Sequence, residues 1–247
     1  MRKASAIVVG LLLMGGAHAR AQSAVSGDRV SLSVDSTYQT SSTTFTDVVH
    51  PTAFVEPAII STVYRIGAAP GFDVGGAYRV WRNLAAGVNV SRISKSSDAP
   101  VSAQMPHPLY FNQRRLVPAT AGGLNRVETA VHVQASWTLP ISSSWQLAVS
   151  GGPTLFMVSQ DLVQDVNISQ TYPYDTATST GVVTGRPSTS KVGFNAGADV
   201  AYFPARRYGV GLAVGYSQAR VALPSDNGVA GVHAGGIHVG AGLRVRF

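Results

Sequence analysis

Apolar and polar residues alternate at every second position along eight segments of this chain, each about ten residues long. The last segment shows the pattern clearly, because Ile237, Val239 and Leu243 share one face while His238 and Arg244 share the other. A period of two is typical of β-strands, whose successive side chains point to opposite faces. The sequence therefore predicts eight strands, at 29–38, 72–81, 84–94, 126–139, 145–158, 192–203, 208–220 and 235–247.

The connections between these strands alternate between short and long. The short ones are 82–83, 140–144 and 204–207, and the long ones are roughly 39–71, 95–125, 159–191 and 221–234. Short turns at one end and long loops at the other are typical of outer-membrane barrels. We therefore predict an all-β fold, an eight-stranded antiparallel transmembrane β-barrel with short periplasmic turns and long extracellular loops. Ten strands are the alternative, if 44–66 forms a hairpin.

The N-terminal residues have the layout of a secretory signal peptide. Two basic residues precede an apolar run at 6–14, and small residues follow it. The run has roughly half the length that a helix needs to cross a bilayer. We expect cleavage after Ala19 or Ala21, which gives a signal peptide at 1–21, a barrel domain at 22–247 and the bacterial outer membrane as the destination.

Composition excludes several classes of protein. The formal net charge of +7 falls to +4 when Arg2, Lys3 and Arg20 leave with the signal peptide, and so small an excess does not predict nucleic-acid binding. The chain has no cysteine, so neither disulfides nor a lipoprotein anchor are expected. Downstream of the signal, no apolar run is long enough for a helical membrane span.

Small and charged residues occupy the minority face of the strands. The interior of an eight-stranded barrel is just wide enough for side chains, so acids and bases inside it are expected to neutralise each other. We predict a packed ionic lumen without a wide pore. Its network is expected to contain Arg29, Asp35, Asp73, Arg79, Glu128, His132, Asp199, His238, Arg244 and Arg246.

Aromatic residues cluster beside the short turns and the C-terminus. Aromatic side chains mark the membrane–water interfaces of barrels. We predict a periplasmic girdle, although Trp81 falls in the lumen-facing phase unless its side chain tilts outward. Its members are Trp81, Trp137, Trp145, Phe203 and Tyr208, with Phe247 at the C-terminus.

Candidate catalytic and metal sites are weak. Glu128, His132 and Ser136 share one face, as an acid, base and nucleophile would, but that face is the lumen and lies away from lipid chains. Histidine pairs such as His233 and His238 lack a spacing that fixes both as ligands. We predict no catalytic residues, no metal site and no cofactor.

The segment 240–247 alternates apolar residues and ends in phenylalanine. With Leu243, Val245 and Phe247, it resembles the C-terminal signal through which the barrel-assembly machinery recognises outer-membrane barrels. The chain from residue 22 onward resembles small outer-membrane proteins of the OmpA-like β-barrel type, as in the hairpin at 75–88. The resemblance implies a membrane-embedded barrel and the assembly machinery as a partner.

Three function hypotheses follow. The first is a structural or surface-interaction role in the cell envelope, the second a narrow channel or transporter for ions or small solutes, and the third a lipid-modifying enzyme. Outer-membrane lipid and lipopolysaccharide are the expected partners, while an extracellular ligand stays open. Basic residues near the outer strand ends are expected to contact lipopolysaccharide phosphates, namely Arg92, Lys95, Arg186, Lys191 and Arg220.

Overall fold

The computed structural model describes residues 28–225 and 228–247, and its regular elements are β-strands. The predicted signal peptide lies outside the described residues. No helix in the described part of the chain is long and apolar enough to span a membrane. The strands are β1 (Val30–Gln39), β2 (Thr43–Val49), β3 (Thr52–Ala53), β4 (Glu56–Pro57), β5 (Ile59–Ile66), β6 (Ala69–Trp81), β7 (Leu84–Pro106), β8 (Arg114–Pro140), β9 (Trp145–Gln160), β10 (Leu162–Ser169), β11 (Thr178–Gly185), β12 (Ser188–Tyr202), β13 (Tyr208–Ser225) and β14 (Gly228–Arg246).

Eight of these strands form a closed antiparallel ring, in the order β1, β6, β7, β8, β9, β12, β13 and β14. The ring closes where the first strand meets the last, with Ser31 opposite Arg246 and Gln39 opposite His238. All eight predicted strands are members of the ring. The prediction of an eight-stranded antiparallel barrel is therefore confirmed.

All four predicted long loops are largely strand within the described residues. In place of a loop at 95–125, β7 continues to Pro106 and β8 begins at Arg114, so that only a short turn joins them. The stretch 159–191 holds the β10–β11 hairpin, and β13 and β14 run on through most of 221–234. The alternation continues in these extensions, for example at Ala99, Val101, Ala103 and Met105, which are buried. The sequence did not predict these strands because polar residues and prolines interrupt the apolar pattern.

The hairpin that raised the ten-strand alternative does form, but it stays outside the ring. β2 pairs with β5, and β5 pairs with the outer part of β7, from Ile59 opposite Gln104 to Thr62 opposite Val101. The barrel therefore keeps eight strands. The hairpin adds to a folded layer beyond the barrel, which we call the extracellular platform and which consists of β2–β5, β10, β11 and the outer ends of β7, β8, β13 and β14.

Apolar side chains change face along the same strand. In β13, Leu212, Val214 and Tyr216 are exposed on the outside of the ring, whereas Val221 and Leu223, further along, are buried inside. The exposed apolar positions recur on all eight ring strands and form an outer band. A continuous apolar band around a barrel is the surface that lipid covers. Above it, the strands bury their apolar residues as a water-surrounded β-structure does.

A bulge in β8 switches the phase of that strand at the platform boundary. Val117 and Ala121 point inward at odd positions above the bulge, and Leu124 and Glu128 point inward at even positions below it. The pairing of β7 with β8 shifts register here, where Gly123 has φ of 68° and its amide donates to Asp98 Oδ1 at 2.9 Å. A residue without a Cβ adopts this conformation at little cost.

Ring closure depends on the small size of Gly242. A Cβ at this position would collide with the carbonyl oxygen of Val34 across the β1–β14 seam. We expect Gly242→Ala to lower the free energy of unfolding by about 1–3 kcal/mol, the usual cost of overpacking. Urea titration in detergent, together with the heat-dependent gel migration of the folded barrel, measures the effect.

The control is Gly231→Ala, because no atom lies within 4 Å of a Cβ built at Gly231. Equal stability of the two variants would contradict the role of the seam.

Candidate functional site

The lower lumen holds an ionic cluster around Arg244. Its guanidinium donates to Asp35 Oδ1 at 2.8 Å and to both carboxylate oxygens of Asp199. These residues come from β14, β1 and β12, so the cluster ties three strands together. The Arg244 and Asp35 side chains are almost fully buried. The structure thus brings together three members of the predicted network.

A polar cavity of about 200 Å³ adjoins this cluster. Asp73 and His238 line it, and Asp73 lies directly across from Asp35 in the β1–β6 pairing. Asp73 Oδ1 is buried and has no hydrogen-bond partner among the described residues. The lumen is therefore not as fully neutralised as the sequence predicts.

The remaining predicted basic residues lie toward the periplasmic end. Arg246 donates to the Arg206 carbonyl oxygen at 2.6 Å, lies 3.6 Å from Asp28 Oδ2 and stacks 4.0 Å from the Phe203 ring centroid. Arg79 is half-buried on β6. Arg29 is exposed, so its inclusion in a buried network was wrong. It precedes β1, where alternation no longer fixes the direction of a side chain.

His132 is held by neighbouring strands and does not form a catalytic arrangement with Ser136. One ring nitrogen lies 2.8 Å from Thr154 Oγ1 and the other 3.1 Å from Ser91 Oγ. Glu128 accepts hydrogen bonds from Arg126 and from the Gly235 amide and not from His132. Across 28–225 and 228–247, no three His, Asp or Glu side chains converge in a geometry that suits a metal ion.

A second ionic group braces the upper lumen across its diameter. Arg126 donates to Gln160 at 2.8 Å, to Glu128 at 3.1 Å and to the His233 carbonyl oxygen at 3.1 Å. Glu128 in turn accepts from the Gly235 amide at 2.7 Å. β8 and β14 are not neighbours in the ring, so these contacts cross the lumen. Sequence reasoning missed Arg126, although it stands two residues before Glu128 on the same face.

Apolar side chains pack inside the lumen at this level. They form one cluster of residues that are at most 5% exposed, and Phe156 at 0% is its largest member. The cluster consists of Ala130, Phe156, Val158, Ala219, Val221 and Ala234. Together with the Arg126 group, it separates the polar cavity from the platform above. The sequence predicted ionic packing here and not an apolar layer.

Most of the residues predicted for the girdle have exposed side chains. Trp81, Trp137, Trp145, Tyr208 and Phe247 are exposed at the periplasmic end of the band. Trp81 faces outward because a bulge between Arg79 and Trp81 reverses its phase.

Phe203 is the exception in the girdle. It is only 7% exposed and packs under Arg246 inside the barrel, so its assignment to the girdle was wrong. Alternation gives the reason, since Tyr202 is the outward neighbour and lies against Trp145 at 4.9 Å between centroids.

A second ring of aromatic residues lies near the outer edge of the band, which the sequence analysis did not identify. Phe194 and Tyr216 contact each other at 5.9 Å between centroids, and Tyr38 and Phe72 are exposed on β1 and β6. Tyr38 and Phe72 stand at the outer ends of the predicted strands 29–38 and 72–81, and this position could have indicated the second ring. Two aromatic rings delimit the membrane band.

The basic residues expected to meet lipopolysaccharide differ in their surroundings. Arg92, Lys191 and Arg220 are exposed, whereas Lys95 donates to the Ala68 carbonyl oxygen at 2.8 Å. Arg186 forms two hydrogen bonds with Asp161, at 2.6 and 3.0 Å. The hydrogen bond from Arg186 lowers the pKa of Asp161 below 3.8, so the pair stays ionised at neutral pH.

The extracellular platform has an apolar core of its own. Ile60, Tyr64, Val117, Leu162 and Leu223 are among sixteen buried residues that form it. Tyr64 stacks on Phe45 at 4.7 Å, and its hydroxyl accepts the Val163 amide at 2.7 Å. Burial raises the pKa of Tyr64 to about 12. The platform is therefore a packed structure and not a set of separate loops.

Three turns at the top of the platform expose large apolar side chains, and we call this surface the apolar tip. Val55 is 88% exposed, Phe111 75% and Tyr172 79%. The tip comprises Phe54, Val55, Leu109, Tyr110, Phe111 and Tyr172. The positions of these turns in the sequence do not show that they lie side by side.

Hydrogen bonds fix the three turns against one another. Arg115, only 8% exposed, donates to the Pro106 carbonyl at 2.7 Å, the Tyr174 carbonyl at 2.7 Å and Gln170 Oε1 at 2.5 Å. The Asn112 amide donates to Glu56 at 3.0 Å. The platform thus joins the turns at 54–55, 107–113 and 170–177 into one surface.

The backbone of the tip is strained. Phe54 and Val55 have φ of 50° and 66°, and Asn112 and Tyr174 have φ of 62° and 71°. The left-handed region is costly for a β-branched residue such as valine. Conformations of this kind persist because the surrounding contacts hold them.

The chain is similar to several solved outer-membrane proteins. The chain resembles Neisserial surface protein A, with 12% identity, 88% of this chain and 97% of that chain covered and a TM-score of 0.48. It resembles the outer membrane protein OprG from Pseudomonas aeruginosa with 9% identity, coverage of 89% and 96% and a TM-score of 0.47. For Ail, the attachment invasion locus protein of Yersinia pestis, identity is 10%, coverage 88% and 97% and the TM-score 0.39.

The fold is that of a small outer-membrane β-barrel. No protein-family profile matches the chain, and no curated protein matches its sequence.

The Arg244 cluster predicts a specific stability loss. Arg244→Ala leaves Asp35 buried without its cationic partner, and breaking a buried pair in this way costs about 3–5 kcal/mol. We expect that decrease in the free energy of unfolding, measured by urea titration in detergent. Arg207→Ala, at an exposed turn position, is the control and should leave stability unchanged. A loss of under 1 kcal/mol for Arg244→Ala would show that the cluster does not stabilise the barrel.

Proposed function

We propose that this protein is a non-conducting outer-membrane barrel that holds a rigid extracellular platform and binds a protein partner at the cell surface through the apolar tip. The observation that carries the proposal is the tip itself, where six large apolar residues are exposed on turns fixed by Arg115 and Glu56. Exposed apolar surfaces of this kind on rigid supports are typical of interaction sites.

The chemistry of the tip supports a protein partner. Tyrosine and phenylalanine give a large contact area with few rotatable bonds and are enriched at the centres of protein interfaces. Because the turns are already ordered, binding loses little conformational entropy. Arg114, exposed beside the tip, adds a cation at its rim. The tip is therefore suited to a partner surface with an apolar centre and acidic edges.

The closed lumen supports anchoring over transport. A solute that entered from the periplasm would reach the polar cavity and then meet Phe156 and the Arg126–Glu128 brace. Moving these groups would expose buried charges, which costs several kcal/mol. The platform core lies beyond them. A binding role without catalysis also agrees with the hydrogen bonds of His132, which orient it toward Thr154 and Ser91.

The proposal extends to the surrounding lipid. Arg92 and Arg220 are exposed near the outer aromatic ring, at the level expected for the phosphates of lipopolysaccharide, and Lys191 is exposed on β12. Guanidinium groups form strong paired hydrogen bonds with phosphate. Arg186 is the weaker candidate, because Asp161 already occupies its donors. The assembly machinery is a further proposed partner, through Leu243, Val245 and Phe247.

The experiment compares partner binding with conductance. Wild-type protein in lipid nanodiscs is applied to an array of extracellular and surface proteins, beside the double variant Phe111→Ser/Tyr172→Ser. We expect at least one protein to bind the wild type and to bind the variant at least tenfold more weakly. In planar bilayers, the wild type is expected to give no conductance steps.

The matched control is Val183→Ser, which removes an exposed apolar side chain of β11, away from the tip. It should bind like the wild type. Array binding that is insensitive to the tip variant, or an array without any bound protein, would contradict the role of the tip. Regular conductance steps would contradict the closed lumen.

A further inference from the structure

The platform contains a cavity of about 380 Å³ on its side, apart from the tip. It lies between β2, β10, the turn at 186–187 and the end of β13. Its size lies within the range of about 300–1,000 Å³ that is usual for small-molecule sites. Val49, Leu162, Val163 and two prolines give it apolar walls, so the few polar groups that line it decide which ligand it suits.

Asp47 is the polar group at the cavity whose hydrogen bonds are incomplete. It is 8% exposed and lines the cavity. Its Oδ1 accepts the Ser225 hydroxyl at 2.8 Å, while Oδ2 is buried and has no hydrogen-bond partner among the described residues. A buried carboxylate oxygen without a partner carries the desolvation penalty of a charged group without compensation from a hydrogen bond. A ligand that donates to Oδ2 would remove this cost.

The Arg186 guanidinium at the cavity pairs with Asp161 and not with Asp47. Arg186 lines the same space, but its Nε and Nη2 atoms donate to Asp161 at 2.6 and 3.0 Å. The Arg186–Asp161 pair is neutral as a unit, so the charge of Asp47 is not balanced by it. The same charge reaches Tyr64, whose pKa is raised mainly by burial and further by the Asp47 carboxylate. The cavity therefore places the unbalanced negative charge of Asp47 beside the apolar walls formed by Val49, Leu162 and Val163.

We propose that this cavity binds a small organic cation, with an ammonium group on Asp47 Oδ2 and an apolar body against Leu162 and Val163. The ammonium group supplies both the missing hydrogen-bond donor and the missing positive charge. The apolar body displaces water from walls that offer it few partners. Gln164 at the rim provides a side-chain amide for a polar substituent of the ligand.

A bare metal ion suits the cavity less well. Calcium takes six to eight oxygen ligands, and magnesium demands a nearly ideal octahedral arrangement. Within the residues that the structure describes, no cluster of three acidic or histidine side chains can hold an ion, at Asp47 or elsewhere. One carboxylate flanked by apolar walls matches an ammonium ion on a carbon skeleton.

Calorimetric titration of the full protein in detergent tests the proposal with two probes of nearly equal shape. These are 2-phenylethylamine, which is cationic at neutral pH, and the neutral 2-phenylethanol. We expect the wild type to bind the amine at least tenfold more tightly than the alcohol. We also expect Asp47→Asn, which keeps the shape of the side chain, to weaken amine binding at least tenfold. Equal affinity for both probes, or no binding of either, would overturn the proposal.

The matched control is Asp175→Asn, which removes one negative charge from the same end of the molecule at a side chain that is 75% exposed. It should bind the amine like the wild type. A loss of affinity as large as that of Asp47→Asn would show that overall charge, not the cavity, attracts the probe. The comparison of the two probes on the wild type needs no variant, so it decides the matter even if Asp47→Asn fails to fold. Calcium and magnesium are titrated in parallel, and competition with the amine would also overturn the choice of an organic cation.

Discussion

Closure of the β1–β14 seam is the constraint on which the rest of this structure depends. A strand in lipid has no water to satisfy its backbone groups, so the sheet must close on itself. Closure with eight strands leaves an interior that only side chains can fill. That narrow interior explains why glycines, small residues and a few paired charges line the lower lumen, and why Arg244 can reach carboxylates on both β1 and β12.

The same ring strands are surrounded by lipid in the band and by water in the platform. Within the band they place apolar residues outside and polar residues inside, and beyond it they do the reverse, as β13 shows between Tyr216 and Val221. Most of this change needs no distortion of the backbone, because the alternation continues and only the residue types change. β8 differs, since Gly123 and Asp98 form a bulge that resets its phase. The barrel and the platform are thus one continuous sheet with two opposite patterns.

The packed upper lumen and the folded platform together support the proposed binding role. An apolar layer around Phe156 and the Arg126–Glu128 brace fill the interior below the platform. The outermost turns are fixed to the platform by hydrogen bonds of Arg115 and Glu56, and these turns carry the exposed apolar side chains of the tip. The proposed protein contact at the tip and the proposed ligand cavity at Asp47 both depend on this support but use separate surfaces.

The sequence by itself determined the strand positions, the short turns and the polarity of the two barrel faces, because these follow from a period of two that is local in the chain. It also predicted that Trp137 and Trp145 face outward, and both side chains are exposed. Only the tertiary structure decided which polar groups meet, since Arg126 contacts β14 across the lumen and Arg29 is exposed and forms no ion pair with a buried acid of the described residues. The same holds for Phe203, for the strands that replace the predicted loops and for the three turns of the tip. These features depend on ring closure, register and bulges, which relate residues distant in sequence, and the alternating pattern carries no information about such distances.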